Sequence, residues 1–316
     1  MRKLIVEPRF EILPTGEQGD LVAFGVGPDE SIYITFSLNK PDTKVEQPGW
    51  ATFFKTKPDM AQSYKIKRWS QSLEATEIFV ARDEFNITKV QPLGDDVILV
   101  CPRCVRKADN EIELNGRVFG PDGRLKRAFV LGDGIQQVQT AADGTIWVSY
   151  FDEGIFGNYG WREPIGASGL VHWSAYGEKL GQFEPEKGLD YMADCYAMTL
   201  DSADDVWCCY YTDFPLVQLR NGKVFGAWNV PVRGSEWLAV EPPYALFLGS
   251  YDDKQELKLL ELLGDGKTKV VETYLACSTD GETLAIDRVA TRGGTIHLVS
   301  GRSKYAVDID MCLRAG

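Results

Sequence analysis

Asp143-Gly144-Thr145-Ile146-Trp147-Val148-Ser149-Tyr150 reads as a tight turn running into an apolar strand. Asp and Gly supply the turn geometry, Gly because it takes a positive φ without steric cost. The phrase returns in degraded form about once every 40 to 65 residues, the spacing of a radial or stacked β-repeat. Six apolar strands begin near Ile32, Val97, Ile146, Val206, Ala245 and Ile296. Each follows its own turn: Pro28-Asp29-Glu30, Gly94-Asp95-Asp96, Asp143-Gly144, Asp204-Asp205, Pro242-Pro243 and Gly293-Gly294. Hairpins then follow. Leu216 to Leu219 turns through Asn221-Gly222, the strongest short hairpin signal, into Val224 to Trp228. Arg117 to Phe119 turns through Pro121-Asp122-Gly123, and Leu257 to Leu262 through Gly264-Asp265-Gly266.

Four strands per unit in a radial array predict an all-β fold, a six-bladed β-propeller of four-stranded antiparallel blades. The expected domain is single, 1–316, with blades at about 15–82, 83–132, 133–186, 187–232, 233–276 and 277–316 plus 1–14. The last unit runs out of sequence after Ile309, whereas Lys3 to Leu13 has strand character and no partner in the first blade. That stretch is therefore expected to close the ring as the outer strand of the last blade, removing two exposed edges. Seven blades is the alternative, with a degenerate unit inside Pro41 to Ser70. A parallel β-helix is a poorer fit, because its rungs lack antiparallel hairpins such as the one at Asn221-Gly222.

The turn-strand phrase resembles the repeats of bacterial propellers of the streptogramin-lyase and two-component-regulator type, in which an Asp-Gly turn precedes an aliphatic residue and Trp. The resemblance is clear in blades three and four. It concerns a structural repeat, so it implies the fold and no particular activity.

Composition narrows the function classes. The chain has 316 residues, 11% aromatics, 31 Gly and 15 Pro, which suits a turn-rich β protein, and a net charge of −12. That charge argues against nucleic acid as a partner, since phosphate neutralisation needs clustered Lys and Arg. No stretch approaches the roughly 18 apolar residues of a membrane span, and Met1 to Pro8 is too short and too polar for a signal peptide. A cytoplasmic location is expected, with the seven cysteines as buried free thiols. Cys101-Pro102-Arg103-Cys104 is a lone pair at a strand end, without the second pair that a zinc site needs. The two histidines, His172 and His297, fall within strands. Gly-x-Ser-x-Gly and Walker-type phrases are absent from the sequence.

In a propeller the loop after each second strand lies on the top face, so the long connections from Leu38, Pro102, Phe151 and Thr212 are top features, where function usually resides. Counting back from the bottom turns puts the start of each first strand at the channel mouth. This predicts a ring containing Lys89, Gln137, Tyr196, Glu236, Trp237, Asp287 and Arg288. The insertion Phe151 to Gly166 adds Asp152, Phe156, Asn158, Tyr159, Trp161 and Arg162, where aromatics offer flat faces and Arg can clamp an anion. Its bland alternative is an Ω-loop packed by its own aromatics. Three blades end their second strand in Tyr-x-Asp, giving Asp152, Asp213 and Asp253, which are candidate oxygen ligands for Ca2+ or Mg2+ or simple loop caps. No other cofactor is expected.

Two readings follow. One is a binding scaffold that presents a top-face pocket and the 151–166 loop to a protein or small ligand. The other is a lyase or hydrolase acting on a sugar acid, lactone or ester. There Tyr196 would be acid or base, Lys89 and Arg288 would neutralise a carboxylate, and Asp287 or Glu236 would complete proton transfer.

Overall fold

The computed structural model describes residues 1–12, 19–46, 52–107, 111–186, 188–201 and 205–316. The expected strand end at Leu13, the blade boundary at residues 14 and 15, and Asp204 of the fourth turn lie outside the described residues.

The chain opens with β1 (Arg2–Ile5) and β2 (Phe10–Glu11). The first blade is β3 (Asp20–Val26), β4 (Ile32–Ser37), β7 (Gln62–Trp69) and β8 (Ala75–Asp83), with the small hairpin β5 (Lys44–Glu46) and β6 (Thr52–Phe54) inserted after β4. The second is β9 (Lys89–Leu93), β10 (Asp96–Val100), β11 (Gly116–Phe119) and β12 (Leu125–Phe129). The third is β13 (Ile135–Thr140), β14 (Ile146–Tyr150), β15 (Leu170–Trp173) and β16 (Lys179–Gln182), with the one-turn helix α1 (Asp152–Phe156) in its long loop. The fourth is β17 (Asp194–Leu200), β18 (Val206–Tyr211), β19 (Pro215–Arg220) and β20 (Lys223–Asn229). The fifth is β21 (Trp237–Glu241), β22 (Tyr244–Leu248), β23 (Glu256–Leu262) and β24 (Thr268–Cys277). The sixth is β25 (Arg288–Arg292), β26 (Thr295–Ser300) and β27 (Ser303–Asp308), completed by β2; helix α2 (Ile309–Ala315) ends the chain. These are six four-stranded antiparallel blades of a β-propeller. The insertion after β4 is a two-stranded hairpin, so the seventh blade considered within Pro41 to Ser70 does not form among the described residues.

The blades fall into two compact units: Gln18–Gln182 holds the first three, and Met1–Glu17 with Phe183–Gly316 holds the last three. In both, the second strands are buried on both faces. This explains why β4, β14 and β22 read as nearly unbroken apolar runs rather than alternating ones. Outer strands are more open: β16 has no buried residue, and β20 exposes Lys223, Phe225 and Asn229.

Within each unit, neighbouring blades meet at a recurring joint. The turn after a blade's third strand presents a glycine to the outer strand of the blade before it. A Cβ on Gly123 would lie 1.8 Å from the Phe79 carbonyl oxygen, one on Gly177 2.4 Å from the Phe129 ring, and one on Gly266 3.1 Å from the Ala227 carbonyl oxygen. All three have positive φ, so glycine is required there for backbone shape and, at the first two, for clearance.

The N-terminal stretch departs from expectation in one respect. Phe10–Glu11 does complete the last blade, Phe10 pairing with Lys304 and Glu11 with Ser303. Arg2–Ile5, however, joins the fifth blade as an additional strand, parallel to β24 with Arg2 opposite Tyr274 and Ile5 opposite Cys277. Pro8, which has no N–H to donate, separates the two. Leu4 and Val6 are buried in the same core as Leu257, Tyr274 and Leu298, which fixes β1 at its edge.

Candidate functional site

Three first strands carry a β-bulge at the same place, between Leu21 and Ala23, Ile135 and Gln137, and Cys195 and Ala197. A bulge leaves one residue unpaired and re-aims its side chain. In the fourth blade that residue is Tyr196. Its ring turns onto Phe214 (centroids 5.2 Å apart) and Tyr251 (5.9 Å), and the Tyr196 and Tyr251 hydroxyls share a hydrogen bond at 2.5 Å. Tyr211 closes the group, 5.7 Å from Phe214. Phe214 is buried and forms the floor. Tyr211 and Tyr251 are 49% and 55% exposed, so the group is an aromatic surface rather than core.

The backbone is shaped to hold these rings. Asp213 and Phe214 have φ of 64° and 54°, the left-handed region that residues with a Cβ seldom occupy. That turn reverses the chain between β18 and β19 while pointing Phe214 inward. The Tyr251 ring lies flat against Gly234, where a Cβ would come within 2.2 Å of it, and the Tyr251 N–H donates to the Arg233 carbonyl oxygen at 2.9 Å. The same Tyr211–Phe214 turn contributes Thr212 and Asp213 to a cavity of about 330 Å3, whose wall also includes Asp190, Trp228, Asn229 and Asp265. Asp265 is paired with Lys267 at 2.6 Å, and this ion pair holds its carboxyl below the usual range.

The other residues expected at the mouth take varied positions. In the unit that holds Tyr196, Glu236 is exposed and Trp237 half-buried, but Trp237 packs into a different core cluster from Tyr196. Asp287 accepts from the Gly301 N–H at 2.8 Å, tying the start of β25 to the β26–β27 turn, and Arg288 donates to the Asp287 carbonyl oxygen at 2.7 Å. The inner strands of this unit also touch: Thr291 Oγ1 donates to the Met198 carbonyl oxygen at 3.3 Å. In the other unit Lys89 opens β9 opposite Val100, half-buried, and Gln137 is buried beside its bulge, its N–H donating to Ser149 Oγ at 3.1 Å.

The 151–166 insertion is largely a packed loop. Trp161 is buried and its Nε1 donates to the Cys104 carbonyl oxygen at 2.7 Å; Tyr159 donates its hydroxyl to the Phe54 carbonyl oxygen at 2.6 Å. Arg103 lies over the Tyr159 ring at 4.0 Å and the Phe151 ring at 5.2 Å while forming a two-pronged pair with Asp133 and a second pair with Glu153. The aromatics expected as ligand faces therefore hold the loop to its neighbours. Phe156, 63% exposed, and Arg162 face solvent, with Asn158 between exposed and buried.

The three Tyr-x-Asp aspartates fall in different units. Asp152 begins α1 in one unit and accepts from the Glu153 N–H at 2.7 Å. Asp213 and Asp253 lie in the other, and Asp253 accepts from the Gln255 N–H at 2.8 Å. Among the described residues no group of three or more His, Cys, Asp or Glu has metal-binding proximity. What the phrase positions is its tyrosine, in two blades of three: Tyr211 and Tyr251 are the exposed rings, whereas Tyr150 is fully buried and donates its hydroxyl to the Leu131 carbonyl oxygen. Sequence reasoning weighed the carboxylates and passed over the tyrosines, although the repeat named both.

Burial shifts several of the titratable groups elsewhere. Burial pushes the Cys101 and Cys104 thiols well above their usual range, and all seven cysteines are buried, none in a disulfide. His172 stacks on Trp147 at 4.3 Å, and burial lowers its basicity. His297 is deeper, and burial with nearby Lys304 and Arg9 drives its pKa well below the ordinary value.

Residues 167–307 match the YxzG family. No curated protein sequence matches the chain. Among solved structures the fold is similar to the Cps50 (Swd1) β-propeller domain of Myceliophteria thermophila, at 8% identity and a TM-score of 0.50, covering 96% of this chain and 85% of that one. It is also similar to a chain of the mitotic checkpoint complex, at 9% identity and a TM-score of 0.48, covering 98% and 94%. A third is virginiamycin B lyase from Staphylococcus aureus, solved with quinupristin, at 11% identity and a TM-score of 0.41, covering 94% and 97%. At such identities the likeness concerns the fold alone.

Proposed function

We propose that this protein is a binding scaffold: a propeller domain spanning 1–316 that holds a protein segment against the Tyr196–Tyr211–Phe214–Tyr251 surface. One observation carries the reading. Two half-exposed tyrosines are braced by a buried Phe, a bulge-directed Tyr and a strained turn, an arrangement that costs backbone energy and leaves apolar rings in water. Tyrosines of this kind supply large, rigid contact area with a polar tip, which is why they are enriched at recognition surfaces. An enzymatic role draws less support. The Asp287 carboxylate serves a turn, the Tyr196 hydroxyl is bonded to Tyr251, and burial lowers the basicity of both histidines.

Selection of a random dodecapeptide display library on the immobilised protein tests this. The expected result is a set of enriched peptides that bind the wild type and lose binding to Tyr251→Ala and Tyr211→Ala, but not to Phe85→Leu, a core change in the other unit. Enrichment that is indifferent to both tyrosines would overturn it.

A further inference from the structure

We infer that the partner of the tyrosine surface is a proline-rich segment flanked by basic residues; this rests on the binding-scaffold reading above. The rings themselves limit what can bind. In the four touching pairs, Tyr196–Phe214, Tyr196–Tyr251, Tyr211–Phe214 and Phe214–Tyr251, the centroids are 5.2 to 5.9 Å apart with planes crossed at 51° to 87°, edge to face or tilted. Phe214 touches both exposed tyrosines, and within these pairs no slot remains for a quaternary ammonium, which needs ring faces opened around it. With Phe214 filling the floor, there is no apolar trough of the kind an amphipathic helix occupies. What stands above the floor is a pair of tyrosine ridges ending in hydroxyls. That surface suits a polyproline II strand, whose pyrrolidine rings lie on aromatic faces and whose carbonyls, having no internal hydrogen bonds, accept from tyrosine hydroxyls.

Charge supplies the rest of the assignment. The Tyr211–Phe214 turn also lines the neighbouring cavity through Thr212 and Asp213, so a basic residue flanking the strand reaches Asp213 and, in the same cavity, Asp190. Asp252 follows Tyr251 and is exposed. The cations nearby are Lys254, 5.9 Å from the Tyr251 centroid, Arg233, and Lys267, which is already paired with Asp265. A volume of about 330 Å3 admits an arginine or lysine side chain, and its carboxylates favour a cation over a neutral group. The chain as a whole carries −12, which draws a basic partner in and repels an acidic one.

The probe is a fluorescein-labelled dodecapeptide containing two Pro-Pro-Leu repeats with arginines at both ends, followed by fluorescence anisotropy. Saturable binding is expected, weakened about tenfold or more by Tyr251→Ala, the size of effect typical of an interface anchor. Asp213→Asn keeps a residue that tolerates the positive φ, and it is expected to weaken binding about threefold or more and to flatten its salt dependence. A peptide with glutamates in place of the arginines should not bind. Tyr211→Ala, at the more peripheral ring, gives a second reading if Tyr251→Ala lowers the melting temperature. No binding of the arginine peptide at millimolar concentration, or unchanged affinity in both tyrosine variants, would sink the assignment. If display instead yields Tyr251-dependent peptides lacking proline and basic residues, the scaffold stands and this partner class fails. If no selected peptide depends on the tyrosines, both fail.

Discussion

One arginine bonded to two carboxylates of different exposure offers a direct test of what holds the 151–166 loop in place. Arg103 Nε and Nη2 each donate to Asp133 at 2.8 Å, the Cys104 N–H adds a third bond to that carboxylate at 2.9 Å, and Nη1 reaches Glu153. The Asp133 side chain is 1% exposed, that of Glu153 39%. Removing the charge from Asp133 leaves a buried guanidinium without its two-pronged partner, which costs about 3 to 5 kcal/mol. Removing it from Glu153, whose side chain is partly exposed although the oxygen facing Arg103 is buried, should cost less, about 1 to 3 kcal/mol. Asp133→Asn and Glu153→Gln should therefore shift the urea midpoint unequally, followed by tryptophan fluorescence at fixed pH with ΔG taken by linear extrapolation. Arg103→Lys should fall between them, because it keeps the charge but loses the fork. Near-equal losses from Asp133→Asn and Glu153→Gln would refute the premise that burial, rather than contact alone, sets the strength of this cluster.

Further outcomes follow from other parts of the fold. Gly144→Ala places a Cβ in open space at φ 85°, whereas Gly123→Ala at φ 75° drives one to 1.8 Å from a carbonyl oxygen. The first should cost about 1 to 2 kcal/mol of backbone strain, the second a further 1 to 3 kcal/mol or more of overpacking, read as a difference in urea midpoint. His297 is held neutral in the native state, while the unfolded chain protonates it near pH 6.5. Because the unfolded state then binds the extra proton, stability is present above that pH and lost as pH falls below it, by up to about 1.4 kcal/mol per pH unit. His297→Gln should remove that slope between pH 6.5 and 5; an unchanged slope would count against it. Leu4→Ala, in the parallel edge strand, should cost about 2 to 5 kcal/mol. Ile5→Ala, at a position 49% exposed, should cost under about 0.5 kcal/mol by the same unfolding measurement.

The fold was legible because its signals are local. Asp-Gly and Asn-Gly turns need nothing beyond their own backbone, and second strands buried on both faces announce themselves as apolar runs. Other features were hidden because they depend on partners distant in sequence. Gly123 reads as a turn glycine, yet its closest constraint is Phe79, and Arg103 reads as the interior of a Cys-x-x-Cys phrase, yet its partners are Asp133 and Glu153. Trp161 and Tyr159 looked like ligand faces because nothing in the sequence reveals that Cys104 and Phe54 hold their polar tips. Counting back from the turns identified Tyr196 as a position of interest, but the bulge that redirects it toward Tyr251 has no sequence signature of its own.

The placement of β1 and β2 sets an order of events. As the chain is synthesised, Gln18–Gln182 can complete its three blades from contiguous sequence. Arg2–Ile5 must wait about 270 residues for Tyr274 to Cys277, and Phe10 waits nearly 300 for Lys304. Until then Arg2–Ile5 and Phe10–Glu11 have no partner strand, so newly made chains carry two unpaired N-terminal strand segments. Those segments are where a chaperone, or another nascent copy, would compete with the protein's own fifth and sixth blades.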